Sequence, residues 1–327
     1  MKKISILIPC LNEIDNIYLI TAEVERIMKT QLSEYNYEIV FIDNYSTDGT
    51  REALYQICKS NKKVKAILNA RNFGPSRSPV YGMMQTSGDC TIQMAADFQD
   101  PPSCIPELVR KWEMGSKIVV AKKSKSRENI IMFFIRKVFY KIFKLIGEID
   151  HIEQFTGFGL YDKSFIEVLK AINDPCPYLR GIVAELGSGI DYIEYVQPKR
   201  ERGKTKTNFF SLYDVAMQGF TSYSKIIPRF ATLIGFGIGS ISVLFSLYYF
   251  IMKLIFWQDF ALGIAPVLIS LFFLNGVLLF FIGFLSEYVL SINTRVMNRP
   301  LVIEEKRFNF DNDVEAEIGG MKYGRIS

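Results

Sequence analysis

The stretch IQMAADFQDPP, residues 92–102, sets one carboxylate, Asp97, and one carboxamide, Gln99, directly after a short apolar run. A hard cation such as Mg²⁺ is usually held by one or two such oxygen donors together with the phosphates of a substrate. The pair therefore predicts a metal site that serves a phosphorylated ligand. An aspartate in front of prolines is also common in turns, so this pattern alone leaves a purely structural role open.

A second group of residues suited to this chemistry is the basic cluster KRERGKTK at 199–206. Its cations are too closely spaced for a solvated helix face alone. Gly203 favours a loop that bends around something anionic. The cluster and the Asp97 loop together indicate an anionic, phosphorylated ligand.

These residues need elements that hold them together, and the first hundred residues supply a pattern for such elements. Apolar runs at ISILIP, EIVFID, VKAILN and CTIQMA alternate with helical segments, which is typical of an α/β domain with a largely parallel sheet. The polar clusters PCLNE, DNYSTDGT and ADFQD follow the first, second and fourth runs. Ligands of open α/β sheets bind beyond the carboxyl ends of strands, so we expect the three clusters to line one cleft.

Composition excludes several classes of protein. The five cysteines are widely spaced and form no C-x-x-C pair, which argues against a disulfide framework or a zinc site. The lone His151 argues against histidine-rich metal catalysis. The apolar run near the N-terminus is too short for a secretory signal. A formal charge of +5 with 49% hydrophobic residues is unusual for a soluble enzyme.

The apolar excess lies near the C-terminal end. Residues 230–252 and 260–286 contain no charged side chain, and about 20 apolar residues suffice to cross a bilayer. We therefore predict two transmembrane helices joined by a short turn, with a buried helical hairpin in a soluble fold as the alternative. Basic residues flank the pair and predict that both ends stay in the cytoplasm. These residues are Lys225, Arg229, Arg295 and Arg299.

Residues 127–147 form a basic amphipathic segment. Its cations fall within one helical arc of an otherwise apolar helix, and they are Arg136, Lys137, Lys141 and Lys144. Such a helix is typical of one that lies in a membrane surface with anionic headgroups. An ordinary core-facing helix with a solvated basic stripe is the alternative.

The combined motifs identify a family. IPCLNEIDNI, IDNYSTDGT, RNFGPSRSPVYGMMQTSGD, AADFQDPP and RERGKTK resemble the motifs of family 2 glycosyltransferases, and within them the branch that acts on polyprenyl phosphates. That branch includes the dolichyl-phosphate mannose synthases and the bactoprenol-phosphate glucosyltransferases. The likeness covers nearly the whole chain. It implies a GT-A fold and inverting transfer of a sugar from a nucleotide diphosphate to a lipid phosphate, with Mg²⁺ or Mn²⁺.

The resemblance also assigns roles to residues. It implies that Asp97 and Gln99 hold the metal, and that Asp97, Arg200 and Lys206 are catalytic, the last two on the donor phosphates. The residues implied in nucleotide-sugar binding are Pro9, Leu11, Glu13, Ile42, Asp43, Asn44, Ala96 and Lys122. Asn44 stands where the family has a second acid.

Two further departures from the family pattern concern carboxylates. Ala95 replaces the first acid of the D-A-D signature, and GFGL at Gly157–Leu160 lacks the acid and the arginine of the D-F-R-L motif. A hydroxyl acceptor would need a base to take its proton, whereas a phosphate monoester, with a second pKa near about 6, arrives largely ionised. The departures therefore favour a phosphate over a hydroxyl as the acceptor.

The expected organisation is a cytoplasmic GT-A domain at 1–207, a juxtamembrane helix at 208–229, transmembrane helices at 230–252 and 260–286, and a cytoplasmic tail at 287–327. The expected location is the inner (cytoplasmic) membrane, and the expected partners are a nucleotide-sugar donor, polyprenyl phosphate and the bilayer, without nucleic acid. The sequence leaves homo-oligomerisation open. A processive polysaccharide synthase and a non-catalytic nucleotide- or lipid-binding membrane module are the alternative functions.

Overall fold

One eight-stranded sheet organises the computed structural model, which describes residues 1–125, 154–198 and 264–310, together with Ile152 and isolated positions between 237 and 255. The strands are β1 Lys3–Cys10, β2 Asn36–Asp43, β3 Val64–Asn69, β4 Cys90–Gln93, β5 Ile118–Lys125, β6 Phe155–Asp162, β7 Ile190–Val196 and β8 Glu304–Phe308. The described helices are α1 Ile14–Thr30, α2 Thr50–Ser60, α3 Gly74–Met84, α4 Ile105–Glu113, α5 Lys163–Ile172, α6 Leu179–Leu186 and α7 Ile264–Val296.

The sheet is mixed. Its strand order is β7-β5-β6-β4-β1-β2-β3-β8. The four strands expected from the sequence, β1 to β4, pair in parallel as predicted, and β5 pairs in parallel with β7. Strand β6 runs antiparallel to β4 and β5, and β8 runs antiparallel to β3. The sheet is therefore less uniformly parallel than the sequence pattern predicts.

Hydrophobic residues explain both the strands and the layers. Strand β1, KISILIPC, is an almost continuous apolar run because both of its faces are buried. On one face the buried side chains of α1, α2 and α4 form a core with the sheet, and on the other face α3, α5 and α6 do the same. The result is a helix–sheet–helix arrangement that fixes where each strand ends.

The C-terminal region differs from the expected tail. Residues 304–308 form the edge strand β8, and Leu301 and Val302 just before it are buried. The side-chain amide of Asn309 donates to the backbone carbonyl oxygens of Cys58 and Val64 at 2.6 and 2.7 Å. Residues after the second predicted span are therefore part of the sheet, which hydropathy could not show because the strand is short and charged.

The described residues divide into two units. The first contains all eight strands, and the second contains α7 up to Asn293. Helix α7 begins four residues after the start of the second predicted span and continues ten residues beyond its end, since it covers Ile264–Val296. The segments 127–147 and 208–229, together with almost all of 230–252, lie outside the described residues. Taken on their own, the described residues contain no helix that is long and apolar enough to cross a membrane.

Candidate functional site

Three loops meet at the carboxyl edge of the parallel strands. Strand β1 has β2 on one side and β4 on the other, so the chain reverses its direction of travel across the sheet between these neighbours. Such a switch point opens a crevice beyond the strand ends, which is where open α/β sheets bind ligands. The predicted residues at this edge are Pro9, Leu11, Glu13, Ile42, Asp43, Asn44, Ala96, Asp97 and Gln99. The prediction that the three polar clusters lie at one edge is confirmed.

The loops after β1 and β2 are joined by hydrogen bonds. The backbone N–H of Asn12 donates to Ser46 Oγ at 2.7 Å, and the N–H of Thr47 donates to Asn12 Oδ1 at 2.7 Å. The N–H of Glu13 donates to Thr50 Oγ1 at 3.0 Å. These bonds hold the two loops as one unit, so Glu13 and the end of β2 keep a fixed spacing.

Each of the three loops contains a side chain on a left-handed backbone. The φ angles are +56° at Asn12, +74° at Tyr45 and +59° at Phe98. Non-glycine residues rarely adopt this conformation, and each costs about 1–3 kcal/mol unless the surrounding structure enforces it. Three such residues at one edge indicate that the loops are shaped for a task other than stability.

Asp43, at the end of β2, is completely buried. Its Oδ2 accepts from the N–H of Ser46 at 3.1 Å and lies 3.2 Å from Nε of Arg51. Burial raises the pKa of Asp43, while the bonds from Ser46 and the charge of Arg51 oppose the rise. The thiol of Cys10 lies 4.0 Å from Asp43 Oδ1, and burial raises its pKa as well, so it adds no charge there.

The structure gives a reason for asparagine at position 44. The Asn44 side-chain nitrogen donates to Asn72 Oδ1 at 2.8 Å and to the Gly74 carbonyl at 3.3 Å. Its Oδ1 accepts from the Phe73 N–H at 2.8 Å and from Asn69 Nδ2 at 3.2 Å. A carboxylate could accept but not donate, so the family's acid would lose the bonds to Asn72 Oδ1 and to the Gly74 carbonyl.

The loop after β4 carries the predicted metal ligands. Asp97 Oδ1 accepts from the N–H of Gln99 at 3.2 Å, and both residues are half-buried. Below them, Asp100 accepts from the N–H of Ala95 at 3.0 Å and from the hydroxyl of Tyr195 in β7 at 3.0 Å. Burial raises the pKa of Asp100, and the nearby negative charge of Asp97 adds to that rise. Asp100 braces the loop, a role that sequence analysis did not assign although the residue lies within the quoted motif.

The donor set of this loop fits a hard cation. Asp97 and Gln99 supply a carboxylate and a carboxamide oxygen, and no cluster of three or more His, Cys, Asp or Glu suited to a metal occurs within the described ranges. Mg²⁺ typically uses few protein oxygens and completes its shell with water and substrate phosphates. The residues present therefore suit a cation that arrives with a diphosphate better than one held in a permanent protein cage.

Lys122 lies farther from the other predicted residues. It belongs to β5, which is separated from β4 by β6, a distance of about 10 Å at the usual strand spacing. Its ammonium group lies 3.5 Å from the ring centroid of Tyr192 in β7. The described contact of Lys122 is thus with a residue of β7, and not with the loops that carry Asp43 and Asp97.

Gly157 accounts for one departure from the family pattern. It has a φ of +108°, and a Cβ at this position would lie 3.0 Å from Nε2 of Gln93. Its carbonyl accepts from the buried hydroxyl of Tyr161 at 2.7 Å. Because β6 runs antiparallel to β4, Gly157 lies near the same edge as the Asp97 loop. An acid at position 157 would need a different backbone conformation.

Arg200, Lys206 and the rest of the basic cluster 199–206 lie outside the described residues. Strand β7, which precedes the cluster, pairs in parallel with β5 and ends at Val196 on the carboxyl edge. The last strand before this cluster therefore ends at the edge of the sheet that holds Asp97.

Known proteins are similar in sequence to this chain over most of its length. The family described as Glycosyl transferase family 2 matches residues 5–169. A bactoprenol glucosyl transferase from an SfII prophage of Shigella flexneri is 33% identical over 305 residues, which is 93% of this chain and 98% of that protein. A prophage bactoprenol glucosyl transferase homolog of Escherichia coli K12 is 30% identical over 302 residues, covering 92% of this chain and 98% of that protein. Among solved structures, mannosyl-3-phosphoglycerate synthase from Rubrobacter xylanophilus superposes with a TM-score of 0.46 at 13% identity, covering 72% of this chain and 75% of that one.

Proposed function

Because the chain belongs to glycosyl transferase family 2, we propose that it transfers a sugar from a nucleotide-diphosphate sugar to a polyprenyl phosphate. The relatives named above as bactoprenol glucosyl transferases make glucose the first sugar to test and a long polyprenyl phosphate the first acceptor. The described fold, a mixed α/β sheet, is that expected of a GT-A glycosyltransferase.

The observation that carries the proposal is the convergence at the β1–β4 switch point. A buried acid, Asp43, lies on one side of β1, and the oxygen donors Asp97 and Gln99 lie on the other. Asp43 lies fully buried under the loop after β2, where its charge and its bond from the Ser46 N–H would shape the nucleoside side of the crevice. The two sides are spaced by strand geometry, so a nucleotide can extend from Asp43 toward the Asp97 loop.

Departure of the nucleoside diphosphate is the step that the site must assist. Asp97 and Gln99 would hold Mg²⁺ or Mn²⁺ on the diphosphate, and when bound this ion would neutralise charge on the leaving phosphates. Asp100 would keep the loop in place by its two hydrogen bonds. Arg200 and Lys206 would add fixed positive charge on the same phosphates.

The acceptor explains why two family carboxylates can be absent. Ala95 and Gly157 offer no base, but an ionised phosphate needs none before it attacks the anomeric carbon. Attack from the face opposite the leaving diphosphate gives inversion. In this reaction the lipid phosphate oxygen forms the new bond to the sugar as the bond to the diphosphate breaks.

We also propose that residues 230–252 and 260–286 anchor the chain in the cytoplasmic membrane, with the sheet in the cytoplasm and segment 127–147 on the membrane surface. The two uncharged runs support this arrangement. Described apolar side chains on α7 also remain exposed at intervals of three or four residues, as expected for a lipid-facing helix surface. They are Val267, Leu271, Leu274, Leu278, Ile282, Leu285 and Val289.

The test is transfer by the purified full chain in detergent or nanodiscs. A panel of radiolabelled nucleotide sugars is offered with undecaprenyl phosphate and Mg²⁺, and the product is extracted into organic solvent. We expect one labelled lipid-phosphate sugar of defined mass. A water-soluble polymer would support a processive synthase, and no product from any donor would support a non-catalytic module.

A further inference from the structure

Arg51, in the first turn of α2, lies between two carboxylates. Its Nε is 3.2 Å from Asp43 Oδ2, an ion pair in which Nε donates no hydrogen bond, and its Nη2 is 2.9 Å from Glu305 Oε2. The same Nη2 donates to the backbone carbonyl of Asn69 at 2.9 Å, at the end of β3. The guanidinium also lies 5.5 Å from the ring centroid of Tyr45, one of the left-handed residues at the edge. The described contacts therefore hold the Arg51 side chain on several sides.

Glu305 comes from a distant part of the chain. It belongs to β8 and is 254 positions after Arg51 in the sequence. Strand β8 is held beside β3 by its ladder, by the Asn309 amide and by contact of Phe308 with Tyr55 at 5.4 Å between ring centroids. The residue that restrains Arg51 is thus fixed in place by contacts of its own.

We propose that Arg51 is a positioning residue for the donor nucleotide, that it fixes the Asp43 carboxylate, and that Glu305 holds it there, so that the C-terminal strand completes the donor site. This inference rests on the proposed function, in which Asp43 serves nucleoside binding. Asp43 is wholly buried, and Arg51 is the described cation in contact with it. Removing Arg51 leaves a buried carboxylate without a counter-charge, which favours its protonated form.

The charge of Asp43 gives a readout that a merely structural residue would not change. The groups facing Asp43 are Cys10 from β1, Ser46 from the following loop and Arg51 from α2. Burial raises the pKa of Asp43 and Arg51 opposes that rise, so the loss of Arg51 moves the pKa further up. The ionised form is then lost on the acid side at a higher pH than in the wild type.

The experiment compares variants of the full chain for donor KM, kcat and the pH profile of kcat/KM. Arg51→Met should raise the donor KM by roughly tenfold, equivalent to about 1.4 kcal/mol of donor binding, and move the acid limb to higher pH. Arg51→Lys should recover part of the loss. Glu305→Gln should raise KM several-fold with little change in kcat.

Glu304→Gln is the matched control. Glu304 is the neighbouring acid of β8 and also accepts from an arginine, Arg307, and from the hydroxyl of Tyr81. It has no described contact with Arg51, so its loss should affect stability without changing donor KM by more than about twofold. If Arg51→Met does not fold, the Arg51→Lys and Glu305→Gln pair carries the comparison.

The two hypotheses fail in different ways. If Asp43→Asn leaves the donor KM unchanged, the proposed role of Asp43 is wrong and this inference falls with it. If Asp43→Asn raises the KM while Arg51→Met, Glu305→Gln and Glu304→Gln behave alike, only the positioning role is overturned. An unshifted acid limb in Arg51→Met would also contradict it.

Discussion

Alanine at Gly157 should destabilise the protein, and the structure offers a matched control at Gly115. The two glycines have nearly the same φ, +108° and +107°. A Cβ at Gly157 would lie 3.0 Å from Nε2 of Gln93, whereas a Cβ at Gly115 has no heavy atom of the described structure within 4 Å. The pair therefore separates backbone strain from steric contact.

The expected losses of stability follow from backbone strain and from steric contact. A side chain on a left-handed backbone costs about 1–3 kcal/mol, offset by about 0.4–1 kcal/mol because alanine also restricts the unfolded chain. Both variants should therefore lose free energy of unfolding. Gly157→Ala should lose up to about 1 kcal/mol more, since the Gln93 amide must move by a few tenths of an ångström away from its present position. For a domain of this size that difference lowers the unfolding midpoint by roughly 2–4 °C.

Thermal unfolding of the two variants and the wild type in one detergent measures the difference. Adding Gln93→Ala to Gly157→Ala should remove the excess loss, while adding it to Gly115→Ala should not. Equal midpoints for the two single variants would show that the Gln93 contact is unimportant. Wild-type midpoints in both would refute the strain argument. Gly157→Asp should be destabilised in the same way and should gain no transfer, because an ionised acceptor does not need a base.

Three further predictions concern the site and the fold. Asp97→Asn should abolish metal-dependent transfer in the folded protein. Asp100→Asn in the same loop should keep most of the transfer activity, because an amide oxygen can still accept from the N–H of Ala95. Near-normal turnover of Asp97→Asn would refute the metal role of Asp97. Burial would raise the pKa of Glu38, but hydrogen bonds from neighbours that include Lys3 lower it from 4.5 to about 2. The ionised Glu38 should therefore contribute about 3 kcal/mol to the free energy of unfolding above about pH 5, and this contribution should be lost as the pH falls toward 2. Urea unfolding across this range should show the loss in the wild type and little of it in Glu38→Gln. Deleting residues 304–327 should lower the unfolding midpoint, because it uncovers the edge of β3, and an unchanged midpoint would contradict the role of β8.

The sequence predicts those parts of the fold that depend on local patterns of apolar and polar residues. Strands β1 to β4 are short apolar runs with a polar cluster after three of them, and their parallel pairing follows from the helices between them. The convergence of Glu13, Asp43 and Asp97 at one edge then follows from topology alone. Local pattern and strand order were sufficient for these residues.

The remaining features depend on contacts between distant residues. Strand β8 is short and charged, and its partner β3 lies more than two hundred positions earlier, so no periodicity indicates the pairing. The hydrogen bond from Tyr195 to Asp100 likewise joins residues 95 positions apart. The left-handed backbone at Gly157 is a property of the tertiary structure, and a glycine at a motif position was the only signal for it.

The strand order gives these distant contacts a common consequence. Strand β7 is one edge of the sheet and β8 is the other, and residues 197–303 join them. That segment contains both proposed membrane spans and, at its start, the basic cluster with Arg200 and Lys206. The residues proposed to act on the donor phosphates therefore leave from one edge strand, and Glu305, which holds Arg51 against Asp43, returns on the other. In these proposals both ends of the membrane segment contribute to donor binding, so Glu305→Gln should raise the donor KM while the chain stays attached to the membrane.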